Sequence, residues 1–217
     1  MSEEEILKII AGGESSTVEF KRKSPGPLKL AKEISALANT KGGYLFIGVD
    51  DNKKLYGIHS EKTEKSIIET AAYFHIEPTL DLEILSFNIS KKEIVVAIIP
   101  DSINKPHKVL LVDENNNTKK RAYIRVGEKS VEASSEMARL MTYQNPESGK
   151  ELKLSITEKE QRLFRYLEKY ERVTVKDYCK LTNISKRRAE RSLVQLVRAG
   201  IIQIHHDSAH DYFTLVK

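Results

Sequence analysis

Residues 41–51, Lys-Gly-Gly-Tyr-Leu-Phe-Ile-Gly-Val-Asp-Asp, constrain the fold more than any other stretch of the chain. The run Tyr44–Val49 is almost continuously apolar, which predicts a strand covered on both faces. Gly42-Gly43 stands directly before it and ends a helical pattern that starts at Pro27. Pro27 suits a first helical turn, and Leu30, Ala31, Ile34, Leu37 and Ala38 make the apolar stripe. Upstream, Val18 and Phe20 alternate with Thr17, Glu19 and Lys21 in a short strand, broken by Pro25-Gly26-Pro27. Strand, helix and strand thus follow one another within about 35 residues.

The pattern then changes character. A short strand is predicted over Leu55–Ile58, a helix over Thr63–Phe74, and a hairpin of Leu82–Asn88 and Glu93–Ile99 around Ser90–Lys92. Arg121–Val126 reads as a further strand, with a loop tip at Asn115–Asn117, and Ser134–Tyr143 as a closing helix. Hairpins mixed with helices predict an α+β fold rather than a doubly wound sheet. Residues 1–143 form the expected first domain, and Gln144–Lys150 (QNPESGK) a linker.

Residues 151–217 read as a winged helix-turn-helix. Thr157-Glu158-Lys159-Glu160 and Thr174-Val175-Lys176-Asp177 are two capping signatures, each opening a helix. Ser185 caps a third helix that Gly200 ends, and Ile201–His206 pairs with Asp211–Val216 as the wing. Charge divides along the same line. From Glu151 onward 14 Lys and Arg face 9 Asp and Glu, so the chain's net +5 resides in this last third. Ala189, Leu193, Leu196 and Val197 form the buried stripe of the third helix. Lys186, Arg187, Arg188, Arg191 and Arg198 form its basic face, suited to phosphates and guanine edges. His205, His206 and His210 lack metal-ligand spacing and read as a polar wing.

In the first domain Arg121, Tyr123 and Arg125 share a strand face, and alternating cation and aromatic can track a nucleic-acid strand; Lys119 and Lys120 extend that patch. The three carboxylates Glu14, Glu19 and Asp51 can be read in two ways. Converging, they would hold Mg²⁺ or Mn²⁺, with Lys21 on phosphate, for phosphodiester hydrolysis. Alternatively, Glu19 and Lys21 form a salt bridge on the sheet. Neither GGESS nor TKGGY matches a nucleotide P-loop. The acidic, helix-patterned N-terminus is no signal peptide and no apolar run has membrane-spanning length. The lone Cys179 suits a reducing, cytoplasmic setting.

Several separated motifs occur in a telling order. They are Glu14-Ser15 with Val18-Glu19-Phe20-Lys21, then Ile34-Ser35-Ala36-Leu37-Ala38-Asn39-Thr40-Lys41-Gly42-Gly43 running into Tyr44–Asp51, then Lys105-Pro106-His107 and Tyr123-Ile124-Arg125-Val126-Gly127. Together, over about residues 10–143, the chain resembles the Schlafen AlbA-type domain. The resemblance implies an α+β nucleic-acid-binding fold. In bacteria that fold is often joined to a helix-turn-helix in transcriptional regulators, and an older reading of it as a divergent ATPase would imply ATP. It also implies an alternative activity, a metal-dependent endoribonuclease acting on structured RNA. The two Glu and one Asp of the nuclease members fall on Glu14, Glu19 and Asp51, beside Lys21. Those members build their groove from two such domains in tandem, so this single domain would require a homodimer. The expected partner of the winged helix is DNA.

Overall fold

The computed structural model describes residues 1–144, 152, 154–207 and 210–216. It divides into two compact units, Met1–Ala133 and Ser134–Lys217. Of the predicted linker, residues 145–150 lie outside the described residues.

The first unit opens with α1 (Glu3–Gly12), whose N-terminus is closed by Ser2 and Glu5 in a reciprocal cap. β1 (Val18–Lys21) runs parallel to β2 (Gly43–Ile47), and the crossover between them is α2 (Pro27–Thr40), with Pro27 in its first turn. The predicted strand, helix and strand are present, and their parallel pairing makes them a βαβ unit. α3 (Glu61–Phe74) follows, then β3 (Ile76–Glu77) and the hairpin of β4 (Glu83–Ile89) and β5 (Lys92–Ile99). Its two-residue loop, Ser90-Lys91, has both φ angles positive, the twist that suits a tight hairpin. β6 (Lys108–Val112), β7 (Thr118–Val126) and β8 (Lys129–Glu132) complete the unit.

These strands make two four-stranded sheets, ordered β1-β2-β5-β4 and β3-β6-β7-β8. The first sheet is covered on both faces, as the apolar run of β2 predicts. Leu45 and Ile47 pack with Leu30, Ile34, Leu37 and Ile68 of α2 and α3. Phe46 faces the other way, with Phe20, Ile6 and Ile10, and meets Phe20 edge to face at 5.6 Å between ring centroids. Gly43 makes the parallel pairing possible. Its φ is +141°, and a Cβ there would lie 2.0 Å from the Thr17 carbonyl oxygen, which accepts a hydrogen bond from the Tyr44 N–H at 2.8 Å. The Gly-Gly turn is thus a point of close backbone approach between β1 and β2.

Three details differ from the sequence expectation. Leu55–Ile58 is no strand. Only Leu55 bridges back to Val49, and the Tyr56 and Gly57 N–H groups both donate to the Gly48 carbonyl, folding the segment into a tight loop. β3, β6 and β8 were not anticipated, because each is at most five residues long. Last, α4 (Ser135–Gln144) belongs to the second unit rather than closing the first.

That second unit holds α5 (Glu158–Tyr170), α6 (Val175–Thr182), α7 (Lys186–Arg198) and the hairpin of β9 (Ile202–His206) and β10 (Asp211–Leu215). Both predicted capping boxes are present, at Thr157 with Glu160 and at Thr174 with Asp177. The core joins Leu163, Leu167, Tyr178, Ala189, Leu193 and Leu196 to Ile202 and Phe213 of the hairpin. One buried carboxylate links the helices. Glu160 accepts from Ser192 Oγ on α7 at 2.9 Å and from the Tyr178 hydroxyl on α6 at 3.1 Å. Burial works against its charge, but the bonds from Thr157 and Ser192 outweigh burial and lower its pKa. Burial also pushes the Tyr178 phenol up to about 12, so it stays a donor.

Candidate functional sites

The first unit gathers the predicted acids but does not converge them on an ion. Glu19, on the middle of β1, is buried, and its two carboxylate oxygens are claimed by separate cations. Oε2 takes Arg125 Nη1 at 2.6 Å, and Oε1 takes Lys21 Nζ. Arg125 of β7 is itself fully buried. It donates further to Ser15 O at 2.7 Å, Ser130 Oγ at 3.0 Å, Val18 O at 3.4 Å and Glu33 Oε2 at 3.4 Å. Ser130 in turn donates to Glu33. The result is a two-acid, two-base network that fastens β1 to α2 and β7.

Glu14 sits beside this network. Its Oε1 accepts from the Phe20 backbone N–H at 2.8 Å. Burial raises the Glu14 pKa, as do the charges of Glu19 and Asp51, while the Phe20 bond and Lys21 oppose the rise. For Lys21, burial works against the charge. The hydrogen bond and charge of Glu19, with Glu33 and Glu14 beyond, outweigh it and raise the pKa. Asp51 is exposed on the loop after β2, and Asp50 Oδ1 closes that loop by accepting from the Asn52 and Lys54 N–H groups. Among the described residues, no three His, Cys, Asp or Glu side chains are placed to hold one metal ion. Glu19 and Asp51 nevertheless both act electrostatically on Glu14. The Glu19–Lys21 salt bridge expected on the sheet is formed, enlarged by Arg125 and Glu33.

The expected strand-tracking face of β7 is corrected. Arg121, Tyr123 and Arg125 do share a face, but α2 covers its inner end. Tyr123 is 9% exposed and part of the core, and the Arg125 side chain is wholly inaccessible. Only Arg121 reaches solvent, and it pairs with Glu132 at 2.7 Å. Its neighbours are also matched, Lys120 with Glu77 and Lys119 with Asp113.

Sequence reasoning overlooked the polar stripe of α2. Ser35 and Asn39, one turn apart on an apolar helix, are both buried. Asn39 Nδ2 donates to the carbonyls of His107 and Tyr123, each at 2.9 Å, and Asn39 Oδ1 accepts from the His107 N–H at 2.8 Å. Ser35 Oγ adds a bond to the His107 carbonyl. The Ile34–Thr40 and Lys105-Pro106-His107 motifs thus meet, tying α2 to β6 and β7. His107 is lowered in pKa by burial, assisted by Lys105 and opposed by its bond to the Pro78 carbonyl. A buried i, i+4 pair of small polar residues was the available signal.

In the second unit, Lys186, Arg187, Arg188 and Arg191 are exposed on the first two turns of α7. Among the described residues no carboxylate pairs with Arg187, Arg188 or Arg191; Lys186 lies 3.8 Å from Glu190. Glu190 is buried instead against α4, where Arg139 Nη1 reaches it at 2.7 Å. Arg198 stacks over the Tyr143 ring at 4.1 Å, so it packs toward α4 rather than standing free with the other arginines. Arg187, Arg188 and Arg191 line a groove of about 580 Å³ together with Ser155, Thr157, Ser185, Ser192, Gln195 and the Glu160 carboxylate, which is taken by Ser192 and Tyr178. On the hairpin, His206 pairs with Asp211, and His205 donates to or accepts from Thr214 Oγ1 at 2.9 Å while stacking on Tyr212. The histidines are structural polar groups of the hairpin.

An α+β unit of two sheets sharing one helix, followed by a small helical unit with a hairpin, is the class these features define. The Schlafen, AlbA_2 family model matches residues 14–134, more than half of the chain, and the chain belongs to that family. A PCI domain model matches residues 143–215. Among solved structures, the DIP2311 protein from Corynebacterium diphtheriae is 21% identical, with a TM-score of 0.44 over 71% of this chain. The chain spans only 29% of that protein's length. The N-terminal domain of an ATP-dependent DNA helicase RecG-related protein from Nitrosomonas europaea is also 21% identical. It has a TM-score of 0.45, over 60% of this chain and 92% of that domain. Among the described residues no helix is long and apolar enough to cross a membrane.

Proposed function

We propose that this chain is a nucleic-acid-binding protein whose second unit is a winged helix-turn-helix that places α7 on duplex DNA, as a transcriptional regulator does. The observation that carries the reading is the row of exposed, acid-free arginines, Arg187, Arg188 and Arg191, on the first two turns of α7. The order α5, α6, turn, α7, hairpin supports it, since such a module presents the N-terminal half of its third helix to the major groove. Hydroxyl and amide groups of Ser155, Thr157, Ser185 and Gln195 beside the arginines suit phosphate contacts flanking the base contacts. A symmetric operator would call for a second copy of the chain. The endoribonuclease reading finds less support, because Glu19 is committed to Arg125 and Lys21.

The test is a DNA titration across salt with the full chain. Neutralising about three phosphates predicts a slope of log affinity on log salt near −2.7. Arg187→Ala and Arg191→Ala together should weaken binding by about a hundredfold, at roughly 1–3 kcal/mol for each good contact. Affinity indifferent to salt, or unchanged in that double variant while it remains folded, would remove the reading.

A further inference from the structure

The first unit holds a second cationic surface, built differently from that of β7. Tyr56 lies on the loop after β2, fixed by the bond from its N–H to the Gly48 carbonyl at 2.8 Å. The Gly48 N–H donates in turn to the Lys21 carbonyl at the end of β1. This brings residues 21–23 and 54–56 together. The Arg22 guanidinium sits 3.8 Å from the centroid of the Tyr56 ring, and Lys54 Nζ lies 5.3 Å from it. Lys23 follows, and all four side chains are exposed, Tyr56 at 37%. No carboxylate pairs with Arg22, Lys23 or Lys54 among the described residues. Of the two acids in the loop, Asp50 accepts from backbone N–H groups, and Asp51 acts on Glu14.

The contrast with β7 is chemical. Lys119, Lys120 and Arg121 each have an acid partner that consumes charge and donors. An aromatic ring holds a guanidinium in place without neutralising it, and leaves the N–H edge directed outward. Such an edge takes a phosphate by two parallel hydrogen bonds. The surface is open, and its cations are strung along two adjoining segments, which suits successive phosphates of a chain better than one enclosed mononucleotide. We infer that Arg22, Lys54 and Tyr56, with Lys23, form a contact site on the first unit for the sugar-phosphate backbone of a single nucleic-acid strand, independent of α7.

The experiment uses the full chain with α7 disabled by Arg187→Ala and Arg191→Ala. Its probe is an oligothymidylate of about 20 nucleotides, long enough to cover a single-strand site. Strand binding should persist in this background. Adding Arg22→Glu and Lys54→Glu should weaken it at least about tenfold and flatten the salt slope by about 1.4, two phosphates' worth for a single strand. The milder Arg22→Gln with Lys54→Gln should show the same direction, and Tyr56→Phe should change little, since the ring is kept. Thymidine monophosphate at equal phosphate concentration should not displace the strand. The proposal is overturned if the α7-disabled chain binds no strand, if the folded charge variants bind it as well as their parent does, or if the mononucleotide competes equally. Strand binding without duplex binding by the intact chain would refute the α7 reading and leave this one standing.

Discussion

Replacing Arg125 by Met is the most severe single test of how the first unit is held together. The side chain is wholly buried and donates to two carboxylates, one hydroxyl and two backbone carbonyls. Removing one member of a buried ion pair costs about 3–5 kcal/mol, because the surviving charge is left without compensation. Here two features moderate that figure. Glu19 retains Lys21, and the Glu33 side chain, 21% exposed, can recover water. Against this, the Ser15 carbonyl loses its Arg125 donor, at about 1–3 kcal/mol for a buried group left unsatisfied, while the Val18 carbonyl keeps the Ser15 N–H. The balance is a loss of about 4 kcal/mol, a large share of the 5–15 kcal/mol that holds a typical domain. With a urea m-value near 2 kcal/mol/M, the midpoint should fall by about 2 M. The assay is urea unfolding of the full chain, followed by hydrogen exchange in peptides from β1 and β7. Adding Glu19→Gln to the Arg125→Met chain should restore part of the loss, since the stranded charge is gone. A loss under about 1 kcal/mol, or no coupling between the two sites, would refute the idea that this network clamps β1 to β7. Stabilisation of the unsubstituted chain by Mn²⁺, abolished by Glu19→Gln, would show instead that the acids form a metal site.

Other outcomes follow from the same geometry. Gly43→Ala should cost more than about 3 kcal/mol, beyond ordinary overpacking, because its Cβ would stand 2.0 Å from the Thr17 oxygen; a melting temperature close to that of the parent would contradict the observed β1–β2 approach. His107 has a folded-state pKa lowered by burial, so between that value and 6.5 the unfolded chain binds the extra proton. Stability should therefore rise with pH across that window and fall on acidification through it, and His107→Gln should flatten the slope in a pH series of urea midpoints. Arg121→Ala and Lys120→Ala should leave nucleic-acid affinity within about twofold, as exposed cations already matched by acids contribute little; a tenfold loss in a filter-binding titration would return β7 to the interface.

Local chemistry was legible from sequence wherever it was short in range. The caps at Thr157 and Thr174, Pro27 at the head of α2 and the turn at Ser90-Lys91 each declare an element through contacts within four residues. The two-sided burial of β2 was legible too, because a strand covered on one face alone would alternate. Arg125 shows where this stops. Alternation along β7 places it on the face of Tyr123 and Arg121, but whether that face meets water depends on α2, more than 80 residues earlier. The same limit applies to Glu19: spacing places it near Glu14 and Asp51, yet its buried partner Arg125 lies 106 residues away on another sheet. Tyr56 was misread as strand for a different reason. Its backbone is claimed by Gly48, a glycine at φ +100° that no propensity scale marks as a loop anchor.

Glu160 bears on how the second unit could change over time. The carboxylate anchors α7 by holding Ser192, and it joins that helix to α6 through Tyr178, while the exposed cations take no part in these bonds. Aim and content are thus written in separate side chains. Lys186, Arg187, Arg188 and Arg191 can be exchanged one at a time for residues that favour other surfaces, and each new face would still be presented at the old angle. On the DNA-binding reading proposed above, a helix mounted in this way could be given a different target without being rebuilt.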